Sequence, residues 1–194
     1  MYYIIGLGNP GGEYKISRHN TGRIVVENFN KKEEIGDFEL NKKLNALIAS
    51  GKAGKENVEL IMPETYMNKS GLSLRSLITN KKRTQNLIVI HDDIDLPLGK
   101  FKISFARGSG GHKGVESVIK NIKTQDFIRI RVGISPSTPS GKLKKPEGKK
   151  MVDFIIGNFK PKEIQVLKKV SNKISQALRV IIDEGLSKAM SLFN

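Results

Sequence analysis

Apolar residues recur along the chain in two rhythms, one alternating and one near the helical repeat, and the two take turns. Residues 1–8, MYYIIGLG, hold an apolar run closed by glycine, which predicts a short buried strand. Residues 21–30, TGRIVVENFN, predict a first helix with Ile24, Val25 and Val26 turned to the core. Residues 43–51 and 57–63 flank a turn bearing glycine and lysine and predict a pair of strands. A helix is expected over 68–78, where Leu72, Leu74, Leu77 and Ile78 fall near a helical period behind an asparagine or serine cap. NLIVIHDDID (86–95) is the clearest strand, its apolar run being that of a strand covered on both faces. KFKISFA (100–106) and FIRIRVGI (127–134) alternate as strands do, with a helix expected between them over 112–122. From Pro161 to Ile182, Ile164, Leu167, Val170, Ile174, Leu178 and Ile181 form one apolar stripe, opened by a proline in the first turn. Strands alternating with helices define an α/β fold: a single three-layer domain with a mixed, mostly parallel, twisted sheet flanked by helices.

Two segments resist regular structure. One is the glycine-rich ARGSGGHKG (106–114); the other is the lysine- and proline-bearing stretch 135–150, expected as a mobile basic loop inside one domain spanning 1–194. A third glycine cluster poses a choice. Gly6, Gly8 and Gly11 satisfy G-x-G-x-x-G, the spacing of a dinucleotide-binding loop. Such a loop needs a helix that begins inside the motif, with free N–H groups aimed at phosphate. Here Pro10 removes a donor, no apolar helical face appears before Thr21, and the acid at the right distance, Glu27, falls in mid-helix. The glycines are read instead as room for a sharp turn at the carboxyl end of the first strand, the edge where open α/β sheets bind ligands. That turn would hold Asn9 at the mouth of a crevice.

Composition sharpens the picture. At 194 residues the chain can close one hydrophobic core. Lysine and arginine total 34 against 19 acids, a net charge of +15, and such an excess attracts polyanions in a salt-dependent way. With no cysteine, disulfides, thiolate metal sites and cysteine nucleophiles are excluded. Three histidines without H-E-x-x-H offer little for a conventional zinc site. The first apolar run stops at Gly6, too short for a signal peptide, and no later run reaches roughly 18 apolar residues. A cytoplasmic protein without a membrane partner is expected.

Four polar residues fall just after strand-like or extended segments: Asn9, His19, Asn68 and Asp92. His19 stands at the threshold of a helix, and Asp92 ends LIVIHD. A carboxylate there can orient and polarise an imidazole, and an imidazole so held can take a proton from water near neutral pH. No serine sits in a G-x-S-x-G elbow, so direct attack by water is favoured over a covalent intermediate. Each residue also admits a local role: His19 in hydrogen bonds before a helix, Asp92 and Asp93 at a strand end, Asn9 in an Asn-Pro turn, Asn68 as a helix cap. His91 and His112 are read as structural.

These segments, in this order, resemble bacterial-type peptidyl-tRNA hydrolase: GLGNPGGEYKISRHNTG, PETYMNKSG, HDDIDLPLGKFKI, GSGGHKG and RIRVGI. The resemblance covers all but residues 31–43 and 135–150. It implies hydrolysis of the ester joining a peptide to the 3′ ribose of tRNA, which recycles tRNA from stalled translation. It implies His19 as the base, Asp92 as its orienting partner, and Asn9 as the group that tells a blocked α-amine from a free one. Tyr14, Tyr66 and Asn68 would line the site for the tRNA 3′ end and the peptide. No metal or cofactor is implied, and a monomer is expected. One position departs: Lys113 stands where the family usually has asparagine, exchanging a group that donates and accepts for one that only donates. Lys100, Lys102, Arg107, Lys113 and the basic loop are expected to grip acceptor-stem phosphates. Two rival classes stay open: a silent RNA-binding relative and a nucleotide-cofactor enzyme.

Overall fold

The structure, a computed structural model, describes residues 1–138 and 140–194; Pro139, within the expected basic loop, lies outside the described residues. In chain order the elements are β1 (Tyr2–Gly6), α1 (Thr21–Glu33), β2 (Glu39–Asn41), β3 (Ala46–Ala53) and β4 (Glu56–Pro63). A 3-10 helix (Met67–Leu74) precedes α2 (Lys81–Gln85), β5 (Leu87–Pro97), β6 (Phe101–Phe105), α3 (Lys113–Ile122) and β7 (Ile128–Ser135). The chain closes with α4 (Lys149–Ile156), α5 (Pro161–Glu184) and α6 (Leu186–Phe193).

The strands form one sheet in the order β2-β3-β4-β1-β5-β7-β6. The centre, β4-β1-β5-β7, is parallel, and antiparallel pairs close both sides. Alternation decides what each face packs against. In β1 and β5, Ile4, Ile88 and Ile90 join Val25, Val26 and Phe29 of α1 and the stripe of α5 in one core. Tyr3, Ile5, Leu87 and Val89 point the other way, onto Leu74, Val115 and Val118 of the 3-10 helix and α3. Two cores on one sheet make the three layers that the alternating pattern predicts.

The differences have local causes. Residues 67–74 form a 3-10 helix, and Leu72 is exposed while Leu74 and Ile78 are buried, because the tighter turn breaks the expected apolar face. The cap expected of Asn68 is absent: Tyr66 precedes the helix and makes no side-chain capping bond. In β7 the alternation marks burial on both faces, for Arg129 is 5% exposed. The basic segment ends inside α4, and its earlier part closes on itself through a bridge between Ser137 and Leu143. Among the described residues, no helix is long and apolar enough to cross a membrane.

Candidate active site

The glycines after β1 make room for a helix. A Cβ on Gly6 would lie 2.5 Å from the carbonyl oxygen of Gly22, and one on Gly22 would strike the backbone of Leu7 and Ile90. With neither present, α1 presses its first turn onto β1 and β5. The 3-10 turn Arg18–Asn20 just before it is thereby set against the end of β5. Arg18 bolts this turn from behind: its guanidinium donates to the carbonyls of Phe154 and Gly157 and pairs with Glu163 at 2.9 Å.

His19, on that turn, meets Asp92, on β5. Nδ1 of His19 is 3.0 Å from both carboxylate oxygens, although the residues are 73 positions apart in the chain. His112 approaches the same carboxylate, Nε2 to Oδ1 at 3.0 Å, while its Nδ1 accepts from the N–H of Val115 and caps α3. The network assigns the tautomers: His112 carries its hydrogen on Nε2, and His19 carries one on Nδ1. Nε2 of His19 is left without a protein partner among the described residues, the arrangement of a ring poised to accept a proton. The donor atoms of His19, Asp92 and His112 lie within 4.8 Å of one another. With ring nitrogens donating to the carboxylate, the cluster is a hydrogen-bonded network.

Electrostatics follow from burial and contact. Burial disfavours a charged His19 ring, but the charge of Asp92 and its hydrogen bond outweigh this, so the His19 pKa stands above its ordinary value. Burial alone would raise Asp92; His19 and His112 outweigh it and hold the carboxyl far below the usual range. His91, wholly enclosed, is pushed well below its ordinary pKa by burial and by His112, and stays neutral.

A cleft of about 1060 Å³ opens in front of His19, Asp92 and His112. Lys102, Arg107, Lys113, Arg129, Arg131 and Lys145 line it. So do Met151, Val152, Ile155 and Ile156 of α4, which supply an apolar wall. Two of the cations are paired with acids of β5: Arg131 with Asp93 and Lys145 with Asp95, each at 2.6 Å. Lys113 is exposed and pairs with Glu116 at 3.1 Å.

Asn9 lies on the loop after β1, tied to the turn that carries His19. Its backbone N–H donates to Oδ1 of Asn20 at 2.8 Å, and Nδ2 of Asn20 donates back to its carbonyl at 2.9 Å. Its side-chain Oδ1 accepts from the N–H of Met67 at 2.8 Å, which leaves Nδ2 without a partner among the described residues. Tyr66 and Asn68, flanking Met67, are both exposed, and Tyr14 is half-buried in the short turn Gly12–Tyr14. The structure thus joins His19 to Asp92 directly and brings Lys113 to the same cleft. Asn9 meets the segment that carries Tyr66 and Asn68 through Met67, and neither these three nor Tyr14 are among the residues lining the cleft.

Reading His112 as merely structural understates it, since it grips the same carboxylate as His19. No spacing in the sequence reveals this, because His112 arrives from a glycine-rich loop. Asn20, Arg129 and Arg131 are not among the residues the sequence singles out; the alternation FIRIRVGI is the available signal for the arginines.

A family model for peptidyl-tRNA hydrolase matches residues 3–194. The peptidyl-tRNA hydrolase of Prochlorococcus marinus is 41% identical over 193 residues, spanning 98% of this chain and 92% of that protein. That of Finegoldia magna is 40% identical over 196 residues, spanning 100% and 97%. Among solved structures, peptidyl-tRNA hydrolase from Acinetobacter baumannii matches with a TM-score of 0.87 at 26% identity, covering 100% of this chain and 94% of its own. The fold and the cleft are those of an α/β protein with its ligand edge at the carboxyl ends of parallel strands. This chain belongs to the peptidyl-tRNA hydrolase family.

Proposed function

We infer that this chain hydrolyses peptidyl-tRNA, with His19 as the general base that activates water. The observation that carries the mechanism is the contact of His19 Nδ1 with both oxygens of Asp92, which leaves Nε2 without a protein partner among the described residues. Nε2 takes a proton as the water oxygen attacks the ester carbonyl. Asp92 stabilises the imidazolium so formed, and the same proton passes to the departing 3′ ribose oxygen. The products are a peptide acid and free tRNA. No cofactor or metal ion takes part in this scheme, and a cytoplasmic monomer suffices for it.

Asn9 selects the blocked substrate. With Oδ1 held by Met67, the free Nδ2 can only donate. A peptide carbonyl accepts from it; a free α-ammonium, itself a donor, does not. Tyr66, exposed, offers a ring for an unpaired base at the tRNA 3′ end, with Tyr14 and Asn68 alongside. Lys102, Arg107 and Lys113 meet phosphates, and Lys113 does so by leaving Glu116.

Deacylation of an N-acetyl-aminoacyl-tRNA tests the reading. His19→Ala lowers kcat by about 10²- to 10⁴-fold while tRNA binding persists. A rate insensitive to His19→Ala overturns the mechanism, and binding of substrate by the wild type without turnover assigns the chain to the silent RNA-binding class.

A further inference from the structure

His91 is the histidine that makes no hydrogen bond to the Asp92 carboxylate. It is 1% exposed, its Nδ1 donates to the main-chain carbonyl of Asp92 at 2.7 Å, and its Nε2 has no partner among the described residues. The reason a side chain is needed at that carbonyl lies in the sheet. Carbonyls two residues apart on a strand point to the same side. That of Ile90 points to the β1 side, where it accepts from the N–H of Leu7. The pairing of β1 with β5 ends at Gly6 and Ile90, so the carbonyl of Asp92, one step further, has lost its strand neighbour. His91 supplies the missing donor at the point where β5 leaves the shelter of β1. Its ring also packs against His112, centroid to centroid 4.6 Å, behind the second imidazole on the Asp92 carboxylate.

We propose that His91 is a positioning residue for the hydrolytic site: it stands in for the absent strand, fixes the Asp92 peptide, and thereby keeps the carboxylate in contact with His19 and His112. It acts through Asp92 and touches no substrate. The charged and titratable groups around it are Asp92 on its own strand, His112 before α3, and Arg129 and Arg131 on β7, the last in register with it. The inference rests on the reading of His19 as the base, but the clamp itself can be measured without substrate.

His91→Leu keeps bulk and removes the donor; His91→Asn places an amide N–H close to where Nδ1 stood. The leucine variant is expected to lose roughly 10- to 100-fold in kcat with KM near wild type, because the carboxylate drifts from its productive place. The pH at which His19 titrates, followed by imidazole NMR in the free protein, moves down as contact with Asp92 weakens, and the acid limb of kcat moves with it. His91→Asn recovers both. Should His91→Leu fold poorly, His91→Met, which also fills the site and offers no N–H, replaces it in the comparison. Unchanged His19 titration in a folded donor-less variant overturns the proposal. So does equal loss in the leucine and asparagine variants with the limb unmoved, which marks a packing role. A shifted titration in a protein that hydrolyses no ester leaves the clamp standing and removes the hydrolase reading.

Discussion

At the scale of single residues, the contact between His19 and Asp92 makes a claim about pH. The carboxylate raises the His19 pKa above its ordinary value of about 6.5, and the base form is the active one. The rate therefore climbs with pH through a limb lying above that value. Asp92→Asn removes the charge that outweighs burial, so the limb moves to lower pH while the plateau falls; a pH–rate profile of the two proteins checks both effects. Lys113 makes the opposite claim. Already paired with Glu116 on the surface, it holds no part of the histidine network, so Lys113→Asn changes turnover far less than His19→Ala. Equal losses in parallel assays would contradict that ranking. His19 and Asp92 were legible as a pair because each follows a recognisable element and the two side chains have complementary chemistry. His112 was not legible, since it follows a glycine-rich loop with no regular element before it to fix where its ring lands.

Among the elements, the start of α1 is where packing and chemistry meet. Gly22 lies against Leu7 and Ile90, so Gly22→Ala must push the helix off the sheet. Overpacking of this kind costs about 1–3 kcal/mol, read as a lower urea midpoint. Because His19 rides on the turn just before α1, kcat falls too, even under conditions where the variant is fully folded. A variant less stable but equally fast would show that the turn holds His19 without the helix. The long stripe of α5 and the apolar run of β5 were readable because each carries an uninterrupted period. Leucines at 72, 74 and 77 satisfy a regular helical spacing only loosely, which is why the pattern predicts a regular helix where a 3-10 helix forms. The edge strand β2 has all three residues open to solvent and a single apolar side chain, Leu40, so no alternation marks it in the sequence.

For the whole molecule, the net charge of +15 was plain from composition, but its placement was not. The fold turns part of it inward: cations from β6, β7 and the segment before α4 line the same cleft as the histidine network. Binding of tRNA should accordingly weaken steeply with salt. Lys102→Ala, which removes an exposed cation lining the cleft, is expected to flatten the slope of log affinity against log salt by about 1. It should leave the rate at saturation nearly unchanged. An unaltered slope would place the tRNA on another face.

The gathering of imidazoles around Asp92 has a practical consequence. The chain holds three histidines, and all of them lie in that one knot. Selective isotope labelling of histidine would therefore light up the reactive centre and nothing else. An inhibitor screen could be read from three resonances: a compound seated in the cleft perturbs them, and one that sticks to the basic exterior leaves them still.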